Sequence, residues 1–312
     1  MIRLVFFGTP GFSLPSLNAL LGSKHEVLAV VTQPDRKSGR GGQIVFSPVK
    51  LRAQKAGLEI FQPNKAGDNL FISNLRSLKP SVIVVVAYGQ ILPPEIIYLP
   101  EFGCINVHAS LLPKYRGAAP INWAIISGEG VTGVNTMLMD EGIDTGQVLL
   151  QQETEIRPDD TAGSLSQRLS EVGAGILIET LKRMENGSLK PVPQTGEASY
   201  ARVLKKADGL INWSKSAGEL CNFIRGVNPW PGAYSFLNGE RVKISRAVPV
   251  DERGGAGLIS KITADVLLVG TGKGMLSILE IQPSGKPVMT VRAFLQGRRL
   301  KEGMKFNEKP VD

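Results

Sequence analysis

The chain has 312 residues, of which 42% are hydrophobic and 21% charged, and its formal net charge is +8. These proportions are those of an ordinary soluble globular protein, and the length leaves room for two domains of roughly 100–200 residues each. The chain contains neither a run of about 18 uncharged apolar residues nor a signal-type leader, so we expect a cytoplasmic protein without a membrane span.

The positive charge is concentrated in the last third of the chain. Residues 1–199 hold 18 Lys and Arg against 18 Asp and Glu, whereas residues 200–312 hold 18 against 10. A neutral first part and a basic second part suggest chemistry in the first and a polyanionic partner for the second. A solvated basic surface that binds no partner would have the same numbers of basic and acidic residues.

Strand-like and helix-like stretches alternate over the first 140 residues. The strand candidates are IRLVFF (2–7), EVLAVVT (26–32), SVIVVVA (81–87) and GCINVHA (103–109). Ser47 and Pro48 stand where a helix would have its N-cap and its first residue. Uninterrupted apolar strands that alternate with helices predict a Rossmann-like α/β domain around a parallel sheet.

A different pattern follows in the rest of the chain. A β pair (131–140 and 147–156) precedes a long helix (161–185) and a stretch rich in Pro, Gly and Ser. Short strands and turn signals then fill the basic part, with Asn238-Gly239 as a hairpin turn. We therefore expect a catalytic domain over 1–189, a linker over 190–206 and a small OB-type β-barrel over 207–312.

Several residues and motifs are interpreted as structural. GTPGF (8–12) lacks the GxGxxG spacing of a dinucleotide fold, and GTGKG (270–274) lacks the remainder of a phosphate loop and fits a hairpin turn. Cys104 and Cys221 are isolated, so we expect reduced thiols and no metal site. We expect His25 to be a solvated loop residue.

Asn106 and His108 are the strongest candidates for chemistry. They lie two residues apart on an apolar strand, so they point to the same side, at the edge where parallel sheets bind ligands. Asp140, Glu141 and Asp144 follow in a glycine-containing loop that could bring a carboxylate to the histidine. An amide and an imidazole can bind a developing oxyanion, and a carboxylate can accept a proton, which suits acyl transfer to an amine.

These segments also carry a family resemblance. INVHASLLPKYRGAAP (105–120) followed by MDEGIDTGQVL (139–149) resembles the signature of the 10-formyltetrahydrofolate-dependent formyltransferases. The resemblance implies direct formyl transfer from 10-formyltetrahydrofolate without a metal, with Asn106, His108 and Asp144 as catalytic residues. It places the folate against Ser110, Leu111, Leu112 and Pro113, and against Tyr88, Gly89 and Ile91.

The acceptor is indicated by the basic segments. The loop QPDRKSGRGGQIVF (33–46) carries Arg36, Lys37 and Arg40 between glycines and could close over a phosphodiester strand. With SPVK and FIRGVNPWPGAY, this loop resembles the family members that formylate initiator methionyl-tRNA, in which such an insertion enters the acceptor arm. We expect Lys205, Lys206 and Arg298 to contact the tRNA backbone, and the protein to be a monomer.

Three other functions fit parts of the sequence. An N-formyltransferase for an amino-sugar nucleotide would pair a similar catalytic domain with a C-terminal barrel, but it would need neither the basic last third nor Arg40. A non-catalytic RNA-binding protein would leave Asn106, His108 and Asp144 without a role. A lyase or hydrolase that only releases formate from the folate would use the same three residues.

Overall fold

The computed structural model describes residues 1–38 and 42–309. The chain folds into two compact units, and each is built from separate stretches of sequence. The first unit consists of Met1–Pro120, Val131–Glu155 and Ser166–Ala201. The second unit consists of Ile121–Gly130, Ile156–Leu165 and the chain from Arg202 onward.

The first unit is built on a seven-stranded sheet. The strands up to residue 155 are β1 (Arg3–Gly8), β2 (Glu26–Val31), β3 (Arg36–Ser38), β4 (Gln43–Val45), β5 (Glu59–Phe61), β6 (Val82–Val86), β7 (Cys104–His108), β8 (Val131–Leu138) and β9 (Val148–Glu155). The order in the large sheet is β5-β2-β1-β6-β7-β8-β9. The first five of these strands are parallel, and β8 and β9 add on antiparallel. The Rossmann-like sheet and the terminal β pair predicted from the sequence are confirmed.

Helices alternate with these strands along the chain. In the first unit they are α1 (Leu14–Leu21), α2 (Pro48–Lys55), α3 (Asn69–Ser77) and α4 (Pro94–Ile97). Apart from Pro120, α5 (Pro120–Ile126) belongs to the second unit, and α6 (Ala162–Glu185) belongs to the first unit from Ser166 onward. All five residues of β6 are buried, as a strand covered on both faces requires. The N-cap of α2 is the expected one, because the Ser47 hydroxyl accepts a hydrogen bond from the Lys50 N–H at 3.0 Å.

Two local expectations for the first unit were wrong. The sequence predicts one loop over residues 33–46, but β3 and β4 pair antiparallel within this segment. Strands of three residues are too short to give a periodic signal. His25 is only 9% exposed and its Nδ1 lies 3.3 Å from the backbone N–H of Ile2. Burial lowers the pKa of His25, which favours the neutral ring that accepts this bond.

The second unit is an antiparallel sheet with two further helices. Its elements after Arg202 are α7 (Ala217–Gly226), β10 (Ala233–Leu237), β11 (Glu240–Val250), β12 (Ile259–Ile262), β13 (Leu267–Gly270), β14 (Met275–Pro283), β15 (Met289–Thr290), α8 (Val291–Gln296) and β16 (Phe306–Asn307). The strand order is β12-β13-β14-β11-β10-β16, and β15 pairs with β14. Hydrogen bonds between residues 257–259 and 303–306 join the two ends, so the sheet curls into the expected small barrel.

Both turns proposed for this unit are present. Asn238 and Gly239 have φ values of 50° and 74° and connect β10 to β11, as a two-residue hairpin of the primed type requires. GTGKG lies between the paired strands β13 and β14 and is a hairpin turn. Among the residues that the structure describes, no helix is long and apolar enough to cross a membrane.

The segment between the long helix and the barrel is divided between the two units. Residues up to Ala201 pack in the first unit and residues from Arg202 in the second. Val192 pairs with Val148, and the backbones of Ser199 and Ala201 bond to that of Arg116. The stretch expected to be a linker therefore contributes backbone pairing to the first unit.

Both cysteines are free and buried. Burial raises the pKa of the Cys104 thiol to about 12 and that of Cys221 to about 11, so neither forms much thiolate near neutral pH.

We expect iodoacetamide at pH 8 to leave both thiols of the folded protein unmodified and to alkylate both in denaturant, as measured by intact mass. Rapid alkylation of either thiol in the folded protein would contradict this placement.

Candidate active site

Asn106 and His108 lie on the same side of β7, close to its carboxyl end. The strand lies between β6, which is parallel to it, and the antiparallel β8. His108 is 6% exposed and Asn106 is half-buried, so both polar side chains need partners. The pair occupies the sheet edge where the sequence placed it.

Asp144 supplies the carboxylate that this pair lacks. Its Oδ1 accepts a hydrogen bond from the Asn106 Nδ2 at 3.2 Å. Its Oδ2 accepts one from the Gly117 N–H at 2.7 Å and lies 3.5 Å from the His108 Nδ1. The structure therefore brings Asn106, His108 and Asp144 together as an amide, an imidazole and a carboxylate.

The loop between β8 and β9 aims this carboxylate through close backbone contacts. Asp144 has a φ of 52°, in the left-handed region that side chains other than Asn and Asp rarely adopt. A Cβ on Gly146 would stand 1.8 Å from the Leu138 carbonyl oxygen, so only glycine fits there. Asp140 accepts bonds from the Gly142 N–H at 3.1 Å and the Thr145 hydroxyl at 2.6 Å, so it shapes the loop.

Three residues that the sequence analysis did not assign hold this loop in place. The Gln194 side-chain amide donates to the carbonyl oxygens of Asp144 at 2.8 Å and Gly146 at 2.7 Å. Its Oε1 accepts two bonds from the Arg116 guanidinium, at 3.1 and 2.6 Å. The backbone N–H of Arg116 donates to the Ser199 carbonyl at 2.8 Å. No local sequence signal marks Gln194, because its partners lie about 50 and 78 positions away.

The turn after β7 fixes the histidine ring from its other side. The His108 Nε2 lies 3.0 Å from the Tyr115 carbonyl oxygen, which can only accept, so Nε2 carries the proton of this bond. The Tyr115 N–H in turn donates to the Ser199 hydroxyl at 2.9 Å. At Gly117 the φ is 109°, and a Cβ there would stand 2.9 Å from the Ala201 carbonyl oxygen. Residues 199–201 thus support both the imidazole and the N–H that binds Asp144.

The segment from Ser110 to Pro113 follows His108 directly. Ser110 and Leu112 are buried, and the Leu112-Pro113 peptide bond is cis. The Ser110 hydroxyl donates to the Lys114 carbonyl at 2.7 Å, and its own carbonyl accepts from the Asn135 amide at 2.6 Å. Leu111 is half-buried. The segment is an ordered wall next to the catalytic candidates.

The second predicted folate segment follows β6, the neighbour of β7. The Tyr88 ring is buried against Phe7, with ring centroids 5.1 Å apart, and burial raises the pKa of its hydroxyl to about 12. Gly89 has a φ of 91°, and Ile91 is 85% exposed. Tyr88 and Gly89 line a cavity of about 480 Å³ at the carboxyl end of β6. Its other wall is formed by Thr9, Pro10, Gln33, Pro34, Arg36, Val45, Phe46, Ser47, Pro48 and Ala87.

The basic residues predicted to contact nucleic acid differ in exposure and in whether an acidic residue pairs with them. Arg36 is exposed at the start of β3, Lys37 lies in the same strand, and Arg40 lies outside the described residues. Lys205 and Lys206 are exposed in the second unit. The Arg298 guanidinium is held by Glu240 at 2.6 and 3.1 Å, and this bond keeps the pKa of the Glu240 carboxyl below its usual value. Part of the Arg298 charge is thus neutralised within the unit.

Comparisons with known proteins identify the family of this chain. A model of the formyl transferase family matches residues 2–181, and a model of the formyl transferase C-terminal domain matches residues 203–299. A methionyl-tRNA formyltransferase from Thermodesulfovibrio yellowstonii is 52% identical over 301 residues, which cover 96% of this chain and 97% of that protein. One from Pelotomaculum thermopropionicum is 48% identical over 310 residues, covering 98% and 99%.

A solved structure of a more distant protein shares the fold. The sugar 3N-formyl transferase WlaRD, determined with dTDP and 5-N-formyl-THF, aligns with a TM-score of 0.69 at 22% identity. The alignment covers 92% of this chain and 99% of that one. With both family models matched in order and close relatives aligned along nearly their whole length, this chain belongs to the formyl transferase family.

Proposed function

We propose that this protein transfers the formyl group of 10-formyltetrahydrofolate to the amino group of initiator methionyl-tRNA. The observation that carries the proposal is the Asp144 carboxylate, held between the Asn106 amide, the His108 ring and the Gly117 N–H. Relatives that are about half identical along the whole chain and are named methionyl-tRNA formyltransferase support this acceptor.

The proposed reaction is a direct transfer that uses these three side chains. The amine attacks the formyl carbon, a C–N bond forms, and the bond from that carbon to N10 of the folate breaks. Asn106 has two N–H groups, so it can hold Asp144 with one and bind the developing oxyanion with the other. The His108 Nε2–H is a second donor, for which the substrate oxygen competes with the Tyr115 carbonyl. Asp144, directly or through a water, takes the proton that the amine loses, and this proton is passed to N10 as the bond to the formyl carbon breaks.

The two substrates are assigned to different groups of residues. In the proposal the folate lies against Ser110–Pro113 and against the strand end at Tyr88, Gly89 and Ile91. The tRNA acceptor end meets the basic segment with Arg36, Lys37 and Arg40, and Lys205 and Lys206 of the second unit bind phosphates. We expect the protein to act as a monomer in the cytoplasm.

The direct test supplies [formyl-¹⁴C]10-formyltetrahydrofolate together with methionyl-tRNA. We expect label in acid-precipitable methionyl-tRNA and none when uncharged tRNA or free methionine replaces it. A dTDP-amino sugar offered in parallel distinguishes the amino-sugar alternative. Labelled sugar without labelled tRNA would overturn the proposal, and label released only as formate would indicate a hydrolase.

The catalytic assignments predict a specific pattern of losses. Asn106→Ala and His108→Ala each remove an oxyanion donor, which typically costs roughly 10²–10³ in rate. Asp144→Asn keeps the shape but removes the proton acceptor, so we expect a loss of kcat at least as large. The control is Asp159→Asn, a carboxylate in the turn before α6. Near-normal kcat in any of the three site variants would refute the role given to that residue.

Gln194 provides a test of the loop support. Gln194→Ala removes the donors to the Asp144 and Gly146 carbonyls and the acceptor of the Arg116 guanidinium. The Asp144 carboxylate is then no longer held in its position beside Asn106 and His108. Small misplacements at a reacting centre cost up to about a hundredfold, so we expect kcat to fall roughly tenfold to a hundredfold with little change in KM. Gln151→Ala, at an exposed position of β9, is the matched control. Equal kcat for the two variants would mean that Gln194 does not position Asp144.

Salt dependence tests the phosphate contacts. Each phosphate contact adds about −0.7 to −0.9 to the slope of log affinity for tRNA against log salt. Lys205→Ala and Lys206→Ala should therefore each reduce the slope by about 1. Arg298→Ala should change it less, because Glu240 already pairs with that guanidinium. The slopes are measured by equilibrium binding of tRNA, and affinity independent of salt would contradict these contacts.

A further inference from the structure

We call β3 and β4, which lie within the segment 33–46, the basic hairpin, and this segment is tied at its two ends, where the chain leaves β2 and enters α2. The hydroxyls of Thr32, just after β2, and Ser47, just before α2, are hydrogen bonded at 2.8 Å. Residues 33–46 between them include the pair β3–β4. The two ends of the segment are thus tied together by side chains outside it.

A second set of contacts joins the residues that directly flank β3 and β4. Lys50 of α2 donates to Asp35, which directly precedes β3, and the Gln62 amide donates to the other oxygen of that carboxylate at 2.9 Å. The Lys50 Nζ also lies 4.4 Å from the ring centroid of Phe46, which directly follows β4. The ammonium therefore contacts both flanks of the hairpin from one helix. We call the set Asp35, Phe46, Lys50 and Gln62 the clasp.

The clasp is more than a surface ion pair. The side chains of Lys50 and Asp35 are only 13% and 24% exposed. The bond from Lys50, and after it the bond from Gln62, keeps the pKa of the Asp35 carboxyl below its ordinary value. Gln62 also donates to the Gln33 carbonyl at 2.9 Å, so the preceding backbone is fixed as well. A partly buried carboxylate with two donors is positioned far better than an exposed pair.

Electrostatic attraction to phosphates alone does not explain why an aspartate lies in this segment. Asp35 directly precedes Arg36 and Lys37, in a segment proposed to meet phosphates, and its own charge repels them. Arg36 and Phe46 line the cavity that Tyr88 and Gly89 line at the end of β6. Since β6 is the neighbour of β7, the clasp sets one wall of a cavity at the edge that carries Asn106 and His108.

We infer that Asp35 and Lys50 are positioning residues for the tRNA acceptor, because their bond holds the basic hairpin over the sheet edge where the acceptor end must enter. This inference rests on the proposed function. It predicts an effect of opposite sign to simple electrostatics. Removing the negative charge of Asp35 should weaken the use of tRNA, although it makes the segment more basic.

The decisive variant is Asp35→Asn, which loses the ionic partner of Lys50 and retains an acceptor for Gln62. We expect KM for methionyl-tRNA to rise about fivefold or more, as for a charged hydrogen bond lost at a partly buried site, with kcat at saturating tRNA nearly unchanged. Glu59→Gln, at an exposed position of β5, makes the same change in net charge and should leave KM unchanged or lower. In a Lys50→Met background, Asp35→Asn should add little, because the pair is already broken.

Limited trypsin digestion reports the hairpin directly. Cleavage after Arg36 or Lys37 should be several-fold faster in Asp35→Asn than in wild type or Glu59→Gln, with equal melting temperatures. An unchanged or lower KM for tRNA in Asp35→Asn would overturn the inference, whether or not cleavage is faster. A wild-type protein that does not formylate methionyl-tRNA at all would instead refute the proposed function, so the two failures are distinct.

Discussion

The hydrogen bonding of one carboxylate organises the candidate site. Asp144 bonds to Asn106 and Gly117 and faces His108, so a strand, a turn and a loop converge on its two oxygens. The loop that carries it has a left-handed residue at Asp144 itself and a glycine that no other residue could replace. Such a conformation persists only when its surroundings hold it. Gln194 and Arg116 provide that support from a distant part of the chain.

Charged residues fall into two groups in this protein. Lys205 and Lys206 are exposed and can exchange counterions for phosphates. Lys50 with Asp35, and Arg298 with Glu240, are paired within the fold, and their geometry shapes the surface around them. A count of charges treats both kinds alike. The contacts of each residue distinguish the two groups: an unpaired basic residue would attract a polyanion, whereas a paired one holds neighbouring segments in position.

Where the sequence interpretation failed, the reason is the same in each case. The buried His25 ring accepts a hydrogen bond from the Ile2 backbone, and Arg36 of β3 pairs with Val45 of β4. Each depends on a partner elsewhere in the chain, and local composition carries no information about such a partner.

The sequence by itself determined the class of the fold and the candidates for the reacting groups. Apolar runs separated by helical stretches specify a parallel sheet, and the spacing of Asn106 and His108 puts both on one side of a strand, because both patterns are local and periodic. Only the tertiary structure showed how close the Asp144 carboxylate lies to the His108 ring, that the His108 Nε2 bonds to the Tyr115 carbonyl, and that Gln194 and Lys50 bond to Asp144 and Asp35. Those relations join residues far apart in sequence, so they exist only once packing has fixed the positions of the backbone.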